Sequence, residues 1–234
     1  MEIPRPLVIV TGAAGSLGRA IAQLFMQADA RLILVDVDQA ALARAFAGTS
    51  AEHERVTANL TDAASTDAAL SAVLRRLGPA DVLCNIAGGF TMGPAVHETA
   101  DQVWRHLMDL NVATVINSCR AVVPGMIEAR RGKIVNVAAA GAFKGAAAMG
   151  AYAASKNAVA RLTESMSMEL REHGINVNAV APSIIDTGPN RSAMPDADPA
   201  RWVTADDLAR VVRFLAGPDA AAIHGAVVPV VGLS

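Results

Sequence analysis

The stretch VNVAAAGAFKGAAAMGAYAASKNAV, residues 135–159, holds the only tyrosine of the chain, Tyr152, with Lys156 four positions later. On a helix, residues four apart lie on one face, so the phenol and the ammonium would stand side by side. A free tyrosine titrates near pH 10 and is a poor base at neutral pH. A neighbouring ammonium stabilises phenolate and lowers that value, which makes the phenol a usable proton donor or acceptor. The plain alternative is a Tyr–Lys pair on a helix surface. Between Val137 and Ala154 there is no serine or threonine, so this candidate centre has no small hydroxyl beside it.

A second chemical signal lies near the N-terminus, in TGAAGSLGRAIAQLF. Gly12, Gly15 and Gly18 permit a tight turn and let phosphate oxygens approach backbone amides. A helix beginning near Leu17 would direct its N–H groups and positive dipole at a pyrophosphate. A glycine-rich turn can also simply pack a helix onto a strand, but here the strand–turn–helix context is that of a nucleotide site. Asp36 ends the next apolar run, 18 residues after Gly18, close to the ~20-residue spacing of an acid that binds ribose hydroxyls. Its carboxylate accepts bonds from the 2′- and 3′-hydroxyls and repels a 2′-phosphate. Asp38 adds negative charge and no Arg or Lys immediately follows, so the pattern favours NAD(H) over NADP(H). The competing reading of Asp36 is a cap for the following helix.

These residues need a scaffold that brings them together. Short runs rich in β-branched residues occur at 7–10, 31–35, 55–60, 81–87, 133–138, 175–181 and 226–231. Their apolar character and flanking Gly, Asp or Pro mark buried strands. Helical patterns fill 17–28, 38–46, 64–77, 99–130, 150–172 and 204–216, with Asp38, Asp101 and Thr204 as N-caps and Gly48, Gly78, Gly174 and Gly217 as stops. Such alternation predicts one α/β domain over 1–234: a doubly wound, Rossmann-type parallel sheet of about seven strands with helices on both faces. A Pro-rich loop near 183–203 would face the substrate. Ligands of such sheets bind beyond the carboxyl ends of the strands, where the winding reverses.

Composition narrows the partners. With 53% hydrophobic residues, 18% charged residues and a formal charge of −2, the chain has a substantial core and no long-range attraction for nucleic acid or anionic lipid. No uninterrupted apolar run reaches the ~18 residues of a membrane span, and MEIPRPLVIVTG lacks the pattern of a signal peptide. Cys84 and Cys119 form no CxxC pair and the five histidines show no metal-site spacing, so no metal is expected. Together these point to a cytoplasmic protein acting on a small molecule.

Taken together, the motifs resemble the short-chain dehydrogenases/reductases over nearly the whole chain. The resemblance runs through Thr11-Gly12 to Gly18, Asp36, CNIAG at 84–88, Asn111, Tyr152-x-x-x-Lys156, and NAVAPS with Thr187 downstream. It implies that Tyr152 is the general acid/base, that Lys156 binds the nicotinamide ribose and tunes the tyrosine, and that Asn111 holds a water in a proton relay. The cofactor NAD(H) would contact Gly12, Gly15, Ser16, Leu17, Gly18, Asp36, Asn85, Ala87, Gly88, Tyr152 and Lys156. Asn59 and Leu60 would flank adenine, and Pro182, Ile185 and Thr187 would face the nicotinamide. The two long helices, 99–130 and 150–172, are those through which family members form homodimers and homotetramers.

The departures from the family pattern are also informative. Ser16 and Ser183 replace glycines, and Ala139 stands where the family carries a serine that hydrogen-bonds the substrate carbonyl. Its neighbours Ala138 and Ala140 offer no substitute. Loss of a donor aimed at a developing oxyanion costs about 10²–10³ in rate. The dihydropteridine reductases resemble this chain in that alanine and in a loop like DTGPNRSAMPDADPARW, whose Trp202 would cover a flat substrate. Three functions follow as expectations: hydride transfer to a conjugated or quinonoid, pterin-like substrate; conventional carbonyl or 3-oxoacyl reduction with a replacement donor; and a non-catalytic NAD-binding sensor or subunit.

Overall fold

The computed structural model describes residues 5–234; the first four residues of the N-terminal stretch read above lie outside it. Among the described residues, nine strands and eight helices follow one another. They are β1 (Leu7–Thr11), α1 (Ser16–Gln27), β2 (Arg31–Asp36), α2 (Gln39–Ala45), β3 (Glu54–Thr57), α3 (Ala63–Leu77), β4 (Val82–Asn85), α4 (Asp101–Met108), α5 (Thr114–Ala129), β5 (Gly132–Val137), α6 (Gly150–Leu170), β6 (Ile175–Pro182), β7 (Ile185–Asp186), α7 (Gly188–Ala193), β8 (Val203–Thr204), α8 (Ala205–Ala216) and β9 (Val227–Val230). Seven strands form one parallel sheet in the order β3-β2-β1-β4-β5-β6-β9. The winding reverses between β1 and β4, which opens a crevice at their carboxyl ends.

Strand alternation sorts the core into two layers. Val8 and Val10 of β1, with Leu32 and Leu34 of β2, pack against α1, α2 and α8. Leu7 and Ile9, with Ile33 and Val35, face α3, α5 and α6 on the other side. Burial on both faces explains why these strands read as continuous apolar runs.

Boundaries differ from the sequence expectation where side chains capture backbone groups. β4 stops at Asn85 because the amides of Ile86 and Ala87 donate to Thr11 Oγ1 (2.9 and 3.1 Å) and not to a neighbouring strand. Asp38 and Thr204 cap α2 and α8, accepting from the Ala41 and Asp207 amides. Asp101 is no cap; it lies within the first turn of α4, where it pairs with Arg105 at 3.4 Å. Gly48 lies beyond the end of α2, which closes at Phe46. The Pro-rich loop contains structure of its own, α7 and the short parallel pair β7–β8.

The expected single helix 99–130 is broken by a wide π-turn at Asp109–Ala113 between α4 and α5. Taken as one helical stretch, Asp101–Ala129 has a window of mean hydropathy 1.3, enough by length and composition to cross a membrane. Half of that window is buried within the fold, where α5 lies against α3, β4 and β5. It is a layer of the domain core.

Gly174, between α6 and β6, adopts φ +76°, and a Cβ there would lie 2.5 Å from the Arg130 carbonyl oxygen. Gly174→Ala is therefore expected to destabilise the fold by about 2 kcal/mol or more. A lowered urea midpoint with unchanged slope would register this.

Candidate active site

The glycine turn is built by the absence of side chains. Gly12 has φ +61°, and a Cβ on it would lie 2.9 Å from both N and Cα of Ala87. At Gly18 a Cβ would lie 2.2 Å from the Gly12 carbonyl oxygen. The start of α1 thus sits directly on the turn, with its free N–H groups open to the crevice. Asp36 is tied to the same turn: its Oδ2 accepts from the Ala14 amide (3.0 Å) and its Oδ1 from the Asp38 amide (3.3 Å). The carboxylate is held at the end of β2 with lone pairs to spare, in the position a ribose-binding acid requires.

A cleft of about 1010 Å³ runs from Asp36 to Tyr152. Among the sequence-derived candidates it is lined by Gly12, Gly15, Ser16, Leu17, Gly18, Asp36, Asn59, Leu60, Ala87, Gly88, Tyr152, Lys156, Pro182, Ile185 and Thr187. Two candidates stand behind its wall. Asn85 is buried and donates to Asn136 Oδ1 at 2.9 Å, joining β4 to β5. Asn111, in the π-turn, is 1% exposed. Its Oδ1 accepts from the Gly89 amide (2.9 Å), and its Nδ2 donates to the Gly89 carbonyl and to Ser155 Oγ (3.1 and 3.0 Å). With both ends of the amide engaged, Asn111 clamps the 88–89 backbone to α6.

The Tyr152–Lys156 pair differs in detail from the expected couple. Lys156 Nζ donates to the Val137 carbonyl at 2.9 Å, at the end of β5. Burial pushes the Lys156 ammonium down to about 8 and the Tyr152 phenol up to about 12. In the free protein the phenol is therefore a protonated donor at neutral pH, and the lysine does not lower it. Phe90, unremarked in the sequence, sets its ring nearly perpendicular to Tyr152 (83°) at 4.8 Å between centroids. Ala138, Ala139 and Ala140 line the cleft wall and supply no hydroxyl. Trp202, expected over a flat substrate, is 6% exposed and does not line the cleft.

Met92, Met149, Met194, Ser183 and Ser234 also line the cleft; of these, Met92, Met149 and Ser234 carried no signal in the sequence. They lie far apart in the chain, and no local spacing links them. The Ser183 and Ser234 hydroxyls are 2.7 Å apart, and Ser183 donates to the Val231 carbonyl at 2.8 Å.

A doubly wound sheet with a glycine turn, an anchored acid and a Tyr–Lys pair along one cleft defines a dinucleotide-dependent oxidoreductase. Comparison with known proteins gives the family: residues 6–198 match the short chain dehydrogenase family, and the chain belongs to it. It is 31% identical to a galactitol 2-dehydrogenase of Agrobacterium fabrum, over 94% of this chain and 93% of that protein. It is 35% identical to an inactive 2-(S)-hydroxypropyl-CoM dehydrogenase 2 of Xanthobacter autotrophicus, over 91% and 98% of the two chains. The structure of an NAD+-bound xylitol dehydrogenase superposes with a TM-score of 0.90 at 25% identity, covering 99% and 100%. Family and fold together indicate a nicotinamide cofactor, and the side-chain-free turn at Gly12 and Gly18 fits its pyrophosphate.

The lowered Lys156 value has a consequence for stability. Between pH 8 and 10.5 the unfolded chain holds this proton and the folded chain has released it, so the penalty for burying the charge, complete below pH 8, fades as pH rises. Wild type should gain about 2–3 kcal/mol on Lys156→Met between pH 7 and pH 10. Urea denaturation of both proteins at the two pH values measures the difference, and parallel changes would contradict it.

Proposed function

We propose that this chain is an NAD(H)-dependent oxidoreductase that reduces a small conjugated or quinonoid substrate, pterin-like compounds among them, using Tyr152 as the proton donor. The observation that carries this reading is Tyr152 on a cleft wall where Ala138 to Ala140 stand in the serine's place and offer no hydroxyl to polarise a carbonyl. A substrate that is already electrophilic needs a hydride and a proton, and little else. A reduced nicotinamide held in this cleft would supply the hydride, and Tyr152 Oη would supply the proton to the substrate heteroatom.

Gly12, Gly15 and Gly18 would receive the pyrophosphate, with Ser16 and Leu17 at the helix start. Asn59 and Leu60 would border adenine, and Ala87, Gly88, Pro182, Ile185 and Thr187 the nicotinamide half. Asp36 supports NAD(H) over NADP(H), since among the described residues the only other charged side chain lining the cleft is Lys156 and no cation awaits a 2′-phosphate. Asn111 acts here as a positioning residue, through Gly89 and Ser155. Two buried free thiols, Cys84 and Cys119, fit a reducing compartment such as the cytoplasm. The alanine face of α6 beside the half-exposed Phe143 is where a second copy would pack.

Tyr152→Phe should lower turnover by about 10²–10⁴ while NADH binding, followed by fluorescence titration, stays nearly unchanged. Undiminished turnover would remove Tyr152 from the chemistry.

The polyol-dehydrogenase relatives favour a second reading, conventional carbonyl reduction with a replacement donor. On that reading Ala139→Ser restores a missing group and raises ketone kcat/KM by about tenfold or more. On the first reading steady-state rates with ketones show no gain.

A further inference from the structure

The substrate half of the cleft carries an unusual set of side chains. Phe90 and Met92 are 55% and 61% exposed, which is a large apolar area left uncovered in the middle of a cleft. Met149 and Met194 line the same space, coming from the start of α6 and the end of α7. Thioethers are flexible, polarizable and adapt well to the faces and edges of flat rings. Aromatic rings add face and edge contacts beyond simple area.

Most hydrogen-bond donors nearby are already engaged, and Asn190 Oδ1 remains as an acceptor. The Thr114 hydroxyl donates to the Leu110 carbonyl at 2.9 Å, and Asn190 Nδ2 to the Ile185 carbonyl at 2.8 Å. Ser183 and Ser234 bond each other and the Val231 carbonyl. Thr187 Oγ1 accepts from the Asn190 amide and keeps its proton, so beside Tyr152 it is one spare donor. A polyol entering this space would exchange several hydroxyl–water bonds for very few protein bonds, and unpaired polar groups are costly. Among the described residues an anionic substrate would meet no free cation, since Lys156 is committed to Val137.

We infer that Phe90, Met92, Met149 and Met194 form an adaptable apolar clamp, and that the substrate class is a neutral, flat cyclic ketone or quinone, in contrast to the polyols for which some relatives are named. This rests on the proposed oxidoreductase function and adds the identity of its substrate. The reaction remains balanced: NADH and a proton reduce one carbonyl to an alcohol, or one quinone to a hydroquinone, and leave NAD+.

The test measures NADH consumption, corrected for the rate without protein, with α-tetralone and 1,4-naphthoquinone, and with acetoacetate as the anion. NAD+ reduction is followed with galactitol. Calorimetry of NAD+-loaded protein with 2-naphthol, a flat ligand that cannot be reduced there, reads binding independently of turnover. The ring substrates should exceed galactitol and acetoacetate by at least tenfold in kcat/KM, and 2-naphthol should bind. Met92→Gln combined with Met194→Gln should raise the ring substrate KM about tenfold and weaken 2-naphthol similarly, with NADH affinity unchanged. Turnover of galactitol or acetoacetate in preference to the rings overturns the clamp but leaves the oxidoreductase assignment intact. Binding of 2-naphthol that Met92→Gln/Met194→Gln weakens, without turnover of any compound, supports the clamp and counts against the oxidoreductase reading. No turnover and no 2-naphthol binding overturns both, and ring turnover or binding indifferent to the methionine substitutions overturns the clamp.

Discussion

The arrangement depends on the close approach of backbone to backbone where β1, α1 and β4 meet. Gly12 passes Ala87 at a distance that leaves no room for a Cβ, and Gly18 does the same against the Gly12 carbonyl. Because the three segments touch there, Thr11 Oγ1 can hold the amides of Ile86 and Ala87, and Asp36 can hold the amide of Ala14. One contact therefore fixes the glycine turn, the acid at the end of β2 and the strand end leading to Gly88. A side chain at either glycine would push these elements apart and dismantle this half of the cleft.

The reacting half is organised by a second set of bonds that spans four segments. The π-turn aims Asn111 at Gly89 and Ser155, and Ser155 in turn donates to the Tyr152 carbonyl. Lys156 crosses to Val137. Extra-wide helical turns often occur at functional sites because they redirect one side chain out of the regular helical ladder. Here the redirected amide joins the loop after β4 to the helix that carries the tyrosine. Burial then has opposite effects on the two titrating neighbours, raising the phenol and lowering the ammonium, which keeps Tyr152 protonated and suited to reduction.

Much of this was legible in the chain. Continuous β-branched runs located the seven strands of the main sheet, and the glycine spacing located the turn before α1, because those signals are local. The i, i+4 relation of Tyr152 to Lys156 was equally local. The misread points were those where a distant partner wins. β4 ends early because Thr11 captures its amides. Asn85 and Asn111 turn inward to bond Asn136 and Gly89, and Trp202 is buried away from the residues that line the cleft.

By itself, the sequence determined the α/β class, the position of the glycine turn, the acid at the end of β2, the Tyr–Lys pair and the missing hydroxyl at Ala139, since each is a property of neighbouring residues. Only the tertiary structure decided that Lys156 bonds Val137, that Asn111 serves as a clamp, and that Phe90, Met92, Met149 and Met194 meet across one cleft. Those residues come from separate loops and helix ends, and what brings them together is the packing of both helical layers onto one twisted sheet, which no local pattern encodes.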